Sequence, residues 1–142
     1  MPIVHFHLIE GAAAPAQEAE LLRRASAFYA ETLQSPIERI RAFIHSFPAG
    51  RCAVGGTLVS DGAPVAPYFE FIVLEGRPLT QRHALLIGFT DLVAEVLGVE
   101  RALIRGRCKQ VSAEEWCIGG RIAAEARAEH ILALNAQTGS GI

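Results

Sequence analysis

The feature that most constrains this chain is an internal repeat. Residues 2–11, PIVHFHLIEG, and residues 67–76, PYFEFIVLEG, align at a constant offset of 65, with Pro2/Pro67, Phe6/Phe71, Glu10/Glu75 and Gly11/Gly76 identical. Further on, Ile40-Arg41 matches Ile104-Arg105, and Val54-Gly55-Gly56 matches Ile118-Gly119-Gly120, both at offset 64. A repeat of this length is one supersecondary unit used twice. The periodicity within each copy says which unit. Val4, Phe6 and Leu8 alternate with Ile3, His5, His7 and Ile9, as Phe69, Phe71 and Val73 do with their neighbours, which predicts strands. Apolar residues at helical spacing follow each strand: Leu21, Leu22, Ala25, Phe28, Tyr29 and Leu33 over 17–33, then Leu85, Leu86, Phe89, Leu92, Val93, Val96 and Leu97 over 80–97. Ser35-Pro36 stops the first helix and Gly98 caps the second. A second strand closes each copy, at 38–46 and 101–110.

Each unit is therefore strand–helix–strand, with its two strands parallel through a right-handed crossover. The expected fold is α+β: a tandem β-α-β repeat forming a four-stranded mixed sheet with two helices on one face. Repeat 1 spans 2–60, a linker 61–66, repeat 2 spans 67–121, and a C-terminal helix with a Gly/Ser tail fills 122–142, the helix over 122–134 and the tail disordered. All of this is one domain. The second sheet face, carrying Ile3, His5, His7, Ile9, Tyr68, Glu70, Ile72 and Leu74, is too apolar to be left in water. It predicts a homo-oligomer in which sheets cover one another, as a positive mean hydropathy in so short a chain also suggests.

Composition excludes several partner classes. A net charge of −2 with no basic block or stripe argues against nucleic acid and anionic membrane. No apolar run reaches the ~18 residues of a membrane span, and the alternating start lacks the basic region of a signal peptide. Three cysteines, Cys52, Cys108 and Cys117, fit no zinc spacing and read as reduced packing residues of a cytoplasmic protein. His5-x-His7 has no third ligand in view, so an interface pair is expected rather than a metal site. His45 shares the face of Arg41, while His83 and His130 read as helix-surface residues, and Arg39 and Arg107 as solvated.

The chemistry rests on Pro2. If Met1 is removed, Pro2 carries a secondary amine, and an ordinary α-amino group already titrates at about 7.7–8.0. Burial or neighbouring cations then set it as a general base. If Met1 is retained, the nitrogen is an amide and the chain is a non-catalytic oligomeric binding protein.

The motifs Pro-Ile…Leu-Ile-Glu-Gly at 2–11, Ser-Pro-Ile…Ile-Arg at 35–41, Val-Gly-Gly at 54–56, Leu-Glu-Gly-Arg at 74–77 and Trp-Cys-Ile-Gly-Gly at 116–120 resemble 4-oxalocrotonate tautomerase and the wider tautomerase superfamily, in its fused two-unit form. The resemblance implies a trimer and no metal or organic cofactor. It implies enol–keto tautomerisation of a small 2-hydroxydienoate or enol carboxylate, with Pro2, Arg77 and Arg105 catalytic and Arg41, Trp116 and Ile118 binding substrate. Water addition, dehalogenation or decarboxylation on the same scaffold is the alternative, in which Glu114 or Glu115 would activate water. The two units are unequal. The unit with the terminal proline has Ala12 and Cys52 where the other has Arg77 and Trp116, while Pro67 is locked inside the chain. One composite site per chain follows: Pro2, Arg77 and Trp116, completed by Arg105 or Arg41 from the same or a neighbouring chain.

Overall fold

A computed structural model describes residues 2–139. The first unit consists of β1 (Ile3–Ile9), α1 (Pro15–Leu33), β2 (Arg41–Phe47) and a small hairpin of β3 (Ala53–Val54) and β4 (Thr57–Leu58). The second consists of β5 (Tyr68–Leu74), α2 (Leu79–Leu97), β6 (Arg105–Val111) and the hairpin β7 (Cys117–Ile118) and β8 (Arg121–Ile122). A third helix, α3 (Ala123–Gly139), follows the second hairpin and has no counterpart in the first unit. The expected loss of Met1 and the end of the Gly/Ser tail fall outside the described residues.

The main sheet has the order β2-β1-β5-β6. Strands are parallel within each unit, Ile3 opposite Arg41 and Tyr68 opposite Arg105. They are antiparallel between units, with Ile3 opposite Ile72 and His7 opposite Tyr68. This decides where the chemistry can sit. The strands of unit 1 begin at the edge where the strands of unit 2 end, and the reverse holds at the opposite edge.

Several boundaries differ from the sequence expectation. Residues 37–39 and 101–103 form single 3-10 turns, so β2 and β6 start at 41 and 105 rather than at 38 and 101. Pro36 drives the first of these, because proline fixes φ near the helical value and suits an N-terminal turn position. α1 starts at Pro15, where a missing N–H costs nothing, and Gln17 Oε1 accepts from the Ala14 N–H at 2.8 Å. α3 runs to Gly139, past the expected end at Leu134. The hairpin glycines Gly119 (φ 58°) and Gly120 (φ 81°) are both left-handed, as a two-residue type I′ turn requires.

The core lies between the sheet and α1 and α2. Val4, Phe6, Phe69 and Phe71 from the sheet meet Leu21, Tyr29, Leu85, Phe89 and Val93 from the helices, all buried. Phe89 stands edge-on to Phe6 at 6.1 Å, Tyr29 at 5.2 Å and Phe28 at 5.4 Å. The opposite sheet face is bare in the single chain and carries a ladder of rings. His5 stacks on Phe43 at 5.3 Å, His7 on His45 at 4.9 Å and on Tyr68 at 5.3 Å, and His5 Nδ1 lies 2.7 Å from His45 Nε2. Phe43 and Phe47 are 46% and 40% exposed there. Among the described residues no helix is long and apolar enough to cross a membrane, and no group of three or more His, Cys, Asp or Glu could hold a metal ion.

Candidate active site

A cavity of about 870 Å³ opens at the edge where β1 and β2 begin and β5 and β6 end. That volume lies within the ~300–1,000 Å³ usual for small-molecule sites. Its walls include Pro2, Arg41, Arg77, Trp116 and Ile118, five of the six residues singled out from sequence.

Each arrives by a separate piece of local structure. Pro2 is buried immediately before β1, and its carbonyl accepts the Arg41 N–H at 3.0 Å, so the parallel register sets the second residue beside the first. The Arg41 guanidinium is held over the same edge by Nη1 donating to the carbonyls of Glu38 (2.7 Å) and Ile40 (3.1 Å). Arg77 follows the Glu75-Gly76 turn out of β5, and its Nη1 donates to the Leu33 carbonyl at 3.0 Å, at the C-terminus of α1. A cation there meets the negative end of the helix dipole, and α1 has no basic residue of its own in its last turn. Trp116 and Ile118 come from the second hairpin, Trp116 half-buried with its indole N–H enclosed, Ile118 exposed. Beneath them the Tyr29 hydroxyl donates to the Ile72 carbonyl, in the residue pair Ile3–Ile72 next to Pro2. Burial pushes that phenol far above its ordinary range, so it stays a donor and pins the β1–β5 junction.

Arg105 is the exception, and within one chain it is not beside Pro2. Within one chain it sits at the opposite edge, where its N–H donates to the Pro67 carbonyl at 3.1 Å and its Nη1 to the carbonyls of Ala102 and Ile104. A seven-residue strand separates the two edges, roughly 20 Å. The cause is the antiparallel pairing of the units. It gives Pro2 the strand arginine of its own unit, Arg41, and gives Pro67 Arg105. The opposite edge holds a smaller cavity of about 190 Å³, lined by Phe47, Arg51, Cys52, Pro67 and Tyr68 among others. It occupies the position equivalent to the first, with Cys52 in place of Trp116.

Further residues line the main cavity. Arg39 and His130, read as surface residues, are exposed and lie on its wall, as do Glu38, Arg121 and Arg127. Glu114 and Glu115 are not on it. Cys117, read as packing, is exposed at the cavity, whereas Cys52 and Cys108 are half-buried. The one usable signal for Glu38 and Arg39 was their position in the turn just before Arg41.

The family described as tautomerase enzyme matches residues 2–62, the first unit. The 2-hydroxymuconate tautomerase of Pseudomonas sp. (strain CF600) is 36% identical over 56 residues, spanning 39% of this chain and 87% of the relative. The crystal structure of a native fused 4-OT superposes with a TM-score of 0.81 at 28% identity, covering 87% of this chain and 97% of the other. A fused 4-OT solved as an asymmetric trimer superposes at 0.79 with 24% identity, covering 87% and 98%. With one unit matched in sequence and both matched in structure, the chain belongs to the tautomerase family of enzymes, in its fused two-unit form.

Proposed function

We propose that this cavity tautomerises a small enol or dienol carboxylate, with the free nitrogen of Pro2, after removal of Met1, as general base. The carrying observation is that Pro2, Arg41, Arg77 and Trp116 line one cavity, although they come from four separate segments. Arg77 spends one N–H on the Leu33 carbonyl and has others left to grip a substrate carboxylate. The neutral Pro2 amine takes the proton of the enol hydroxyl and the electron pair moves through the conjugated chain. Arg41 stabilises the negative oxygen as it forms. The resulting ammonium returns the proton to a carbon, giving the keto isomer and restoring the base. Trp116 and Ile118 form the apolar wall that limits water at the reacting atoms.

The fused relative that crystallises as a trimer supports a trimeric assembly here, with the ring-bearing sheet faces turned inward and Arg105 of a neighbouring chain available to complete the site. The substrates to test are 2-hydroxymuconate, the substrate named for the Pseudomonas relative, and phenylenolpyruvate. Wild type should isomerise at least one and lose activity on the acid limb as Pro2 is protonated. Pro2→Ala should be slower by a hundredfold or more, on the order of a lost general base. An equally active Pro2→Ala variant refutes the reading.

Glu38 favours one second reading. A carboxylate on the wall of the cavity that Pro2 lines is what activation of water needs, as in hydration or dehalogenation of a 3-haloacrylate. Halide release from 3-chloroacrylate that Glu38→Gln abolishes would replace the first reading with the second.

A further inference from the structure

The repeat builds two equivalent edges, and the edge without a chain terminus also holds a cavity, of about 190 Å³, beside Pro67. The Pro67 nitrogen is an amide, because Ala66 precedes it, so that edge has no counterpart of the Pro2 amine. Its space comes from small side chains. Cys52 stands before the first hairpin where the second unit has Trp116, at the repeat offset of 64, and Ala66 lines the wall next to Pro67.

The wall is mainly apolar, with Leu8, Ile9, Phe47 and Pro67 on it, and its polar groups are unequal. The Tyr68 hydroxyl donates to Glu70 Oε2 at 3.3 Å. The His7 Nε2 atom is enclosed and lies 3.5 Å from Glu70 Oε1, beyond good hydrogen-bond range. Arg51 is exposed, and among the described residues its side chain has neither an ion pair nor a hydrogen bond. Glu70 is not on the wall, and no other carboxylate is. The cavity therefore offers an apolar floor, one guanidinium on its solvent side and no negative charge.

We infer that this edge is a second, non-catalytic binding site for a small aromatic monocarboxylate, with its ring against Phe47 and Pro67 and its carboxylate on Arg51. Size sets the ring. A cavity of about 150 Å³ lined by apolar side chains accepts benzene, so about 190 Å³ takes one ring and little more. Charge sets the head group, since an unengaged guanidinium at the mouth pairs with a carboxylate that stays partly in water. The site is independent of the Pro2 chemistry. His7, Phe47 and Tyr68 belong to the ring-bearing face, as Ile3 and Ile72 of the Pro2 cavity do, so the trimer proposed above roofs the two cavities in the same way.

NMR titration of protein labelled at its Leu and Ile methyls reads each cavity separately. Leu8 and Ile9 report the Pro67 cavity and Ile118 the Pro2 cavity. The probes are benzoate, its neutral isostere benzamide, and acetate, which has the head group without the ring. Benzoate should shift Leu8 and Ile9 saturably and bind roughly fivefold more tightly than benzamide, as an exposed charge-assisted contact does, while acetate should not saturate. Arg51→Ala should weaken benzoate by about the same factor and leave benzamide within about twofold. Cys52→Trp puts the indole of the other unit in this cavity and should abolish the response at Leu8 and Ile9. Neither variant should alter the response at Ile118 or the turnover of an enol carboxylate. The exposed Arg51 side chain holds no element in place, so Arg51→Ala decides the matter even where Cys52→Trp fails to fold. No saturable shift at Leu8 and Ile9, shifts at Ile118 alone, equal affinity for benzoate and benzamide, or a benzoate affinity indifferent to Arg51→Ala would each overturn the inference. Activity surviving in Pro2→Ala would refute only the catalytic reading.

Discussion

Arg77→Ala separates the structural role of one side chain from the substrate-binding role proposed for it. The guanidinium donates to the Leu33 carbonyl at 3.0 Å, closing the end of α1, and it lines the cavity. The structural role is small. One hydrogen bond from a charged donor to a helix-terminal carbonyl, partly open to solvent, contributes about 1 kcal/mol. For a domain of this size that shifts Tm by roughly 2–5 °C. The proposed functional role is larger. Two charge-assisted hydrogen bonds to a carboxylate, at about 1.5–3 kcal/mol each, give a loss of about 3–6 kcal/mol. At about 1.4 kcal/mol per factor of ten, kcat/KM falls by roughly 10²- to 10⁴-fold. Arg77→Lys keeps the charge without the fork and should fall between. Thermal melts and steady-state kinetics on an enol carboxylate read both effects in one preparation. A variant that melts lower but turns over at the wild-type rate would show that Arg77 is only a helix cap, and the division of labour between the units would be wrong.

Three other outcomes follow from the coordinates. A Cβ at Gly106 would lie 2.1 Å from the Phe69 ring, which is 1% exposed and packed against Phe89 at 5.8 Å, so Gly106→Ala should destabilise by about 1–3 kcal/mol in a denaturant titration. Burial and the neighbouring His45 hold the His5 pKa below its ordinary 6.5, with His7 adding to the shift and Glu70 opposing it. The unfolded chain then binds the proton first, so stability is full above pH 6.5 and falls as pH drops through the lowered value; His5→Phe should flatten that slope in melts across pH. Cys117 is the exposed thiol and lies at the cavity, while burial pushes the Cys108 thiol up, so alkylation should reach Cys117 first and slow turnover, with a bound carboxylate protecting it.

The repeat made the architecture legible, because Val4, Phe6 and Leu8 and their counterparts Phe69, Phe71 and Val73 fix both strand positions and the face that meets the helices. The mixed sheet was legible, but its strand order and the register between the units were not. Alternation tells which face Arg41 and Arg105 occupy, whereas the parallel β1–β2 register sets Arg41 beside Pro2 and the antiparallel β1–β5 pairing carries Arg105 to the opposite edge. Arg77 and Trp116 were readable because the first unit lacks them, which turned a comparison within one chain into a positional clue. α3 was the element sequence undervalued. Its cavity-facing residues are polar and small, so hydrophobic periodicity was silent about the face that matters. Glu38 and Arg39 were hidden for a related reason, since a 3-10 turn, not a strand, sets where they point.

The proposed chemistry requires Pro2 to present a free, titrating amine to the arginine-lined cavity. Following the Pro2 nitrogen resonance through pH in isotope-labelled protein tests it most directly. An amine signal whose titration midpoint coincides with the acid limb of kcat/KM is expected. A pH-independent amide signal, or a titration unrelated to activity, would contradict it.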